Sequence, residues 1–504
     1  MLLRLKSGLA ALRGQRADLA GLALGALAAA ALPPFHIIPV LLISVPGLLI
    51  LLDSARSMAV AARRGWWFGF GHHLIGLYWV TEAILFEAAR FWWFVPLAVP
   101  ALAGTLAVFI AVACALARLA PPGWPRAVAL AGAWVLMDLA RQFVFTGFPW
   151  NPWGSVWGIP GAVGDVLIQP GSLVGVHGLT LATVLLASLP LLGWRWRAAG
   201  AILLAAWVTF GVLRLRPAIP ALPLTVRLVQ GNIAQGQKWN QDIAIRIFRH
   251  YLELTAKGPA SGATVWPETA FPGLVADDEP ARFEIERATG GAPALIGSVR
   301  FDGGERPRNS LFALIDHGRI AGVYDKWHLV PFGEFIPDWL PLPIMVVPGH
   351  GFAPGPGPRT LHVPGLPPFG PLICYEAIYS GEIVDRADRP AWLVNVTNDA
   401  WFGNSSGPRQ HLAAARMRAV EEGLPLLRAA NTGISAAFDA RGHEIGRMDL
   451  QTTGTMNVLL PSALQGTLFA RLGLWVPAIL ASVAFGTGAV AGGSAPKGVV
   501  GRKA

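Results

Sequence analysis

The sequence predicts a polytopic helical membrane protein of eight transmembrane helices, with an α/β domain inserted between the last two. Three observations predict it. Of 504 residues, 53% are hydrophobic and only 14% are charged, with a mean hydropathy of +0.49; soluble domains carry about 25% charged residues. Long stretches lack charge altogether: Leu19–Leu52, Phe91–Ala117, Val166–Trp194, Ala198–Leu213 and Leu472–Pro496. A bilayer core needs roughly 20 apolar residues per helix, so these are long enough to span. From about 220 to 465 the texture changes, and charges and Gly/Pro/Asn/Asp turns separate short β-rich runs. That interval is large enough for its own core.

The spans follow in order. The first two form a hairpin broken at PPFHIIP (33–39). The third is expected over about 66–86, the fourth over 94–117, the fifth over 124–142, the sixth over 171–193, the seventh over 198–214 and the eighth over 469–491. The amino terminus mimics a signal peptide, but its apolar run is too long and leads straight into a second span, so it is expected to stay. The domains are therefore 1–219 (seven spans), 220–465 (polar domain), 466–492 (eighth span) and 493–504, a disordered tail.

The formal charge of +10 suggests nucleic acid at first sight. Its placement excludes that class. Arg4, Lys6, Arg13 and Arg16, then Arg56, Arg63 and Arg64, then Arg118 and Arg126, then Arg195 and Arg197, then Lys497, Arg502 and Lys503 sit at helix ends. This is the positive-inside pattern, with both termini cytoplasmic and the polar domain on the far side. The loop FTGFPWNPWGSVWG (145–158) reads either as an interfacial aromatic belt or as a re-entrant segment bordering a lid. His72 and His73 read as packing residues, and no zinc or iron spacing is present.

Cysteine is nearly absent. Cys114 lies in the apolar run FIAVACALA and reads as a small hydrophobe. Cys374, in PLICYEAI, is then the candidate nucleophile. Two more stretches end an apolar run or turn in an ionisable residue: Glu268 in ATVWPETA, and Lys326 with Glu334 in VYDKWHLVPFGEFIP. A fourth, LVNVTNDAWFG, runs from a strand into a polar aromatic loop. Sites in open α/β sheets form where strands end. Glu, Lys and Cys together suffice for acyl transfer. The carboxylate takes the thiol proton, the ammonium lowers the thiol pKa and holds the oxyanion, and the N–H after Cys374 is a second oxyanion donor. His328 and His411 are alternative, less economical partners. The triad alone also fits a membrane-bound amidase, for which eight spans have no obvious use.

The order WPE, YDKWHLVPFGE, ICYE within one domain resembles the carbon–nitrogen hydrolase (nitrilase) superfamily, with its Glu-Lys-Cys triad on an αββα sandwich. Seven spans before that domain and one after extend the resemblance to the apolipoprotein N-acyltransferase family. It is strongest at VQGNIAQGQKW (229–239), the stretches above and RMRAVEEGLPLLRAANTGISA (416–436). The resemblance implies transfer of an acyl chain from a phospholipid, typically phosphatidylethanolamine, to the α-amino group of an S-diacylglyceryl-cysteine on an apolipoprotein. It implies a bacterial inner membrane, a periplasmic catalytic domain and no metal or organic cofactor. It implies catalytic roles for Glu268, Lys326 and Cys374. Glu334 orients Lys326 or supports the oxyanion site, or else is a structural ion pair. Tyr375 and Glu376 follow the nucleophile, where Glu376 is also readable as loop scaffolding. Trp239 contacts lipid or covers the site, or is a core residue. Asn398, Trp401 and Phe402 line the pocket or a lid.

Overall fold

The computed structural model describes residues 2–86, 91–238, 240–304, 306–336 and 351–491. Trp239 and the 493–504 tail lie outside the described residues.

The amino-terminal part is helical: α1 Leu2–Ala11, α2 Gly14–Ala29, α3 Leu41–Asp53, α4 Met58–Gly76, α5 Val80–Leu85, α6 Val95–Ala117, α7 Trp124–Phe143, α8 Ala162–Leu167, α9 Gly171–Ser188 and α10 Trp194–Leu215. Among the described residues three helical stretches are long and apolar enough to cross a membrane, not eight: Trp92–Ala117, Gly171–Leu191 and Trp194–Leu215. Ile38–Asp53 and Trp475–Val490 are apolar but shorter. Without a hydrophobic drive between helices, membrane bundles pack through small residues. Here a Cβ on Gly25 of α2 would lie 1.9 Å from the Phe68 carbonyl of α4, and one on Gly71 would lie 2.2 Å from Leu22 O. Along α10 only Gly200, Trp207 and Gly211 are buried, while Ile202, Leu203, Leu204, Val208 and Val212 face outward. An apolar face that large is one that suits lipid.

Two expected spans are interrupted. The third, placed at 66–86, begins instead at Met58, where Ser57 caps it by accepting from Val60 N at 3.3 Å. It stops at Gly76 and resumes as α5. The reason lies far away in sequence: Tyr78 Oη accepts from Ser406 N at 3.2 Å, and Trp79 Nε1 donates to Gln410 Oε1 at 3.0 Å. The sixth span kinks at Gly175 (φ 65°), where a Cβ would meet the Phe469 ring at 2.3 Å. The Val176 N–H beside the kink is satisfied by Glu421 Oε1 at 2.7 Å. Broken helices at membrane depth are stable only when freed backbone groups find such partners.

The polar region folds as two sheets. Six strands run β11-β1-β2-β3-β4-β5 and five run β10-β9-β8-β7-β6. They are β1 Ala221–Gln230, β2 Ala263–Val265, β3 Ala294–Arg300, β4 Arg308–Ile315, β5 Arg319–Asp325, β6 Phe369–Ile373, β7 Trp392–Thr397, β8 Leu426–Ala430, β9 Ser435–Phe438, β10 Glu444–Met448 and β11 Gly454–Pro461. β1, β2 and β3 pair in parallel, as do β6, β7 and β8. Val226, Leu228, Val265, Leu295 and Leu311 of one sheet pack on Phe369, Val394, Val396 and Leu427 of the other. Parallel strands need covered outer faces. Helices α11 (Ala244–Ala256) and α12 (Glu279–Thr289) cover the first sheet through Ile247, Tyr251 and Ile285. Helix α13 (Gly407–Glu422) covers the second through Leu412, Ala415 and Ala419. The result is an αββα sandwich. The chain then returns through α14 (Leu468–Leu472) to α15 (Trp475–Val490), whose Gly488 would bring a Cβ within 2.3 Å of Pro125 O in α7.

Helix α13 joins the two parts. Its second face meets the bundle, so it is buried nearly all round, and two of its polar side chains, Gln410 and Arg416, reach into the helical part. Gln410 Oε1 receives Trp79 Nε1, Trp150 Nε1 (2.9 Å) and Asn151 Nδ2 (3.0 Å), and its Nε2 donates to Pro33 O and Gly76 O. Arg416 holds Asp165 Oδ1 at 2.5 Å and Ile159 O at 2.9 Å. This places the Trp-rich loop inside the molecule: Trp150 and Trp153 are 3% and 1% exposed, so neither forms an interfacial belt.

Candidate active site

Each candidate residue stands where a strand ends. Glu268 follows β2, and the turn that carries it packs so closely on β3 that a Cβ on Gly297 would lie 2.1 Å from Pro267 O. Lys326 follows β5, whose last residue Asp325 is held by Arg300 Nε and Nη2 at 2.8 and 2.6 Å. Cys374 follows β6 with φ 50°, a left-handed conformation that is unfavourable for a residue with a Cβ.

The structure brings Glu268, Lys326 and Glu334 together. Lys326 Nζ donates to Glu334 Oε1 at 2.9 Å and lies 3.5 Å from Glu268 Oε1. Glu334 Oε2 accepts from Val330 N at 2.8 Å, which fixes the carboxylate. Asn309 Nδ2 bridges the two acids, at 2.7 Å from Glu268 Oε1 and 3.2 Å from Glu334 Oε1. All four side chains are buried. Burial opposes the charge on Lys326, but Glu334 and Glu268 override it and hold the pKa above the ordinary value. Cys374 is 6% exposed. Burial, then the charge of Glu268, push its thiol up, and Lys326 only partly offsets them. The ammonium alone therefore does not bring the thiol pKa below its ordinary value, and a base has a part to play.

Of the residues expected to contact substrate, Tyr375 is buried and donates its hydroxyl to Gly147 O at 3.1 Å. Glu376 is 1% exposed. It receives Ile373 N at 2.6 Å, Trp327 N at 2.8 Å and Tyr324 Oη at 3.0 Å. It thus ties the turn of Lys326 to the turn of Cys374, as the scaffolding reading has it. Burial raises its pKa to about 7 against the pull of those backbone donors. Asn398 Nδ2 donates to Gln235 Oε1 at 2.6 Å and steadies the loop before Lys238. Trp401 meets Phe86 with ring centroids 5.3 Å apart, and Phe402 meets Trp79 at 4.5 Å. Both rings therefore stand at the junction with the bundle. His328 stacks on Tyr379 and reaches Glu382 rather than the nucleophile.

Two residues of the site, Asn309 and Lys238, are not singled out by sequence reasoning, and a third, His411, figures there only as an alternative partner of the thiol. Asn309 lies within a strand. Lys238, in the stretch VQGNIAQGQKW, is 3% exposed and its Nζ donates to Glu268 O at 2.7 Å. Burial lowers its pKa to about 8, although Glu268 and Cys374 pull it up. His411 donates from Nε2 to the Cys374 carbonyl at 2.9 Å. The ligand atoms of Cys374, Asp399 and His411 lie within 4.8 Å of one another. Asp399 is already paired with Arg428 at 2.6 Å, however, so the set is wired as a hydrogen-bond network and does not suit a cation.

Comparison with known proteins places this geometry. Residues 24–189 match the family model described as the apolipoprotein N-acyltransferase N-terminal domain, and residues 225–467 match the carbon-nitrogen hydrolase model. An apolipoprotein N-acyltransferase of Rhodopseudomonas palustris is 38% identical over 96% of this chain and 96% of its own. One of Brucella melitensis is 39% identical over 95% and 96%. An amidase from Nesterenkonia sp. aligns with 48% of this chain and 92% of its own, at 19% identity and a TM-score of 0.37.

Proposed function

From the premise that this chain belongs to the apolipoprotein N-acyltransferase family, we propose how its residues carry out the transfer. The enzyme N-acylates apolipoproteins through Cys374. Glu268 takes the thiol proton as the sulfur attacks the ester carbonyl of a phospholipid. The tetrahedral oxyanion is held by Lys326 Nζ and the Tyr375 N–H. Collapse breaks the ester C–O bond, Glu268 returns the proton to the departing lysophospholipid oxygen, and an S-acyl enzyme remains. The α-amino nitrogen of the acceptor's S-diacylglyceryl-cysteine then attacks the thioester. Glu268 takes the amine proton, the C–S bond breaks, and the thiolate is reprotonated as the amide leaves.

The observation that carries this reading is the buried cluster of Glu268, Lys326 and Glu334, of which Glu268 and Lys326 act electrostatically on the Cys374 thiol. Glu334 orients Lys326; Glu376 sets the spacing of the Lys and Cys turns. Tyr375, Asn398, Trp401 and Phe402 border the path of the acyl chain, a role supported by the position of the last two against Trp79 and Phe86; Trp239 takes the lipid-contact role that the family resemblance implies. The donor is a phospholipid such as phosphatidylethanolamine. The chain crosses the bacterial inner membrane eight times with both termini cytoplasmic, and 220–465 stand on the periplasmic side. A domain fixed to the bilayer avoids moving an acyl chain through water, which is unfavourable by about 0.8 kcal/mol per CH₂. Incubation with phosphatidylethanolamine followed by intact mass tests the reading. One acyl increment on the wild type and none on Cys374→Ala, discharged by a diacylglyceryl-cysteine peptide, supports it; discharge by water at the same rate makes the enzyme a lipid hydrolase.

Lys238 adds a pH prediction. Glu268 and Glu334 carry two negative charges against one on Lys326, and protonated Lys238 balances them. Above about pH 8 Lys238 loses its proton, and the cluster turns negative before the thiolate forms. The acylation half-reaction should therefore show an alkaline limb near pH 8. Lys238→Arg, which stays charged, should move that limb upward. Acylation must be read alone, because the acceptor amine titrates at about 7.7–8.0. An unmoved limb in Lys238→Arg would remove Lys238 from the account.

A further inference from the structure

His411 Nε2 lies 2.9 Å from the carbonyl oxygen of Cys374. A carbonyl only accepts, so Nε2 carries the proton. The ring has no freedom to turn away. On its other side Nδ1 is flanked by Asp399 Oδ1 at 2.9 Å and Arg428 Nη2 at 3.2 Å. Arg428 also grips Asp399 Oδ2, and Thr397 Oγ1 donates to Asp399 Oδ1 at 3.1 Å. His411, Arg428 and Thr397 are fully buried and Asp399 is 1% exposed. The Trp150 ring packs on the imidazole with centroids 5.6 Å apart.

The bond reaches further than the atom it touches. A peptide unit is planar and trans, so its C=O and N–H point in opposite directions. Fixing the Cys374 oxygen toward His411 therefore aims the Tyr375 N–H the other way. That N–H is the backbone donor to the oxyanion. Cys374 also holds φ 50°, a left-handed conformation that persists only where the surroundings enforce it. Rotation of the Cys374–Tyr375 peptide, through ψ of Cys374 and φ of Tyr375, removes the donor.

We infer that His411 is a positioning residue of the oxyanion site: it locks the Cys374–Tyr375 peptide so that the Tyr375 N–H faces the reacting carbonyl. His411 never meets the substrate. The inference rests on the reading of Cys374 as nucleophile, and extends it to a residue that acts on the stabilisation of charge and not on the thiol.

Two reagents separate these roles in the full-length enzyme. A p-nitrophenyl ester acylates Cys374 through a tetrahedral oxyanion, whereas iodoacetamide alkylates it by displacement at carbon without one. His411→Leu should slow acylation on the order of 100-fold and alkylation by less than about threefold, in line with the loss of one oxyanion donor. His411→Gln, whose amide N–H reaches the same carbonyl, should recover acylation to within about tenfold of wild type. If His411→Leu slows both reagents equally, or neither, His411 does not position the donor. If His411→Gln acylates as slowly as His411→Leu, the hydrogen bond is not the cause. Cys374→Ala distinguishes failure of the premise: if it still takes up both labels, the nucleophile is misassigned and the oxyanion role of His411 falls with it.

Discussion

Glu268→Gln is expected to lower the rate of acyl-enzyme formation by about 10³–10⁴-fold, the upper range for a lost general base. The substitution keeps the shape of the side chain, and Asn309 Nδ2 still finds an oxygen to donate to. What disappears is the proposed acceptor for two protons: that of the thiol in the first half-reaction and that of the amine in the second. Burial still pushes the thiol pKa up in the variant, which works against a free thiolate taking over. The check is single-turnover accumulation of the S-acyl mass with a phospholipid donor. A rate within tenfold of wild type would show that another group takes the proton and would remove Glu268 from the mechanism.

Lys326→Met should be worse, because it fails in two ways. The ammonium is the one side-chain charge placed on the oxyanion, and its loss is expected to reduce acylation by more than about 10³-fold. It is also the counter-ion of two acids, Glu268 and Glu334, both buried. Breaking a buried ion pair from one side leaves an uncompensated charge and is unfavourable by about 3–5 kcal/mol. Reduced activity should therefore come with an earlier unfolding transition in denaturant, whereas Glu268→Gln, which leaves the Lys326–Glu334 pair at 2.9 Å intact, should move that transition less. If Lys326→Met unfolds where the wild type does, the electrostatic account of the cluster is wrong even if activity is lost.

What sequence reasoning captured and missed follows from one distinction. Glu268, Lys326 and Cys374 were legible because each closes an apolar or β-type run, and a strand end is visible in one dimension. Glu334 came with Lys326 because both share a short segment. Lys238 and Asn309 were not, because nothing local distinguishes a lysine that will be 3% exposed from a solvated one; His411 was visible only as an alternative partner of the thiol, not as a partner of the Cys374 carbonyl. The membrane part divides in the same way. Apolar runs announced the helices, but the break after Gly76 and the kink at Gly175 are made by Ser406, Gln410 and Glu421, more than 200 residues later. The Trp-rich loop has the composition of an interfacial belt, but its indoles are drawn inward, Trp153 by His72, Trp157 by Thr183 and Trp150 by the distant glutamine Gln410.

That glutamine and its neighbours on α13 bear on how far this protein can be treated as modular. In one dimension the chain looks like a hydrolase spliced into a helical bundle at two seams. In space there is a third attachment, made by Gln410, Arg416 and Glu421, whose partners Trp79, Asp165 and Val176 all belong to the bundle. A chimera that joins a water-soluble relative of the same fold at residues 220 and 465 would respect both seams and still fail. The bundle would keep an indole, a carboxylate and a kinked backbone N–H with nothing to bind. Engineering a change of donor or acceptor therefore has to carry α13 with the bundle and exchange only the strands and loops beyond it.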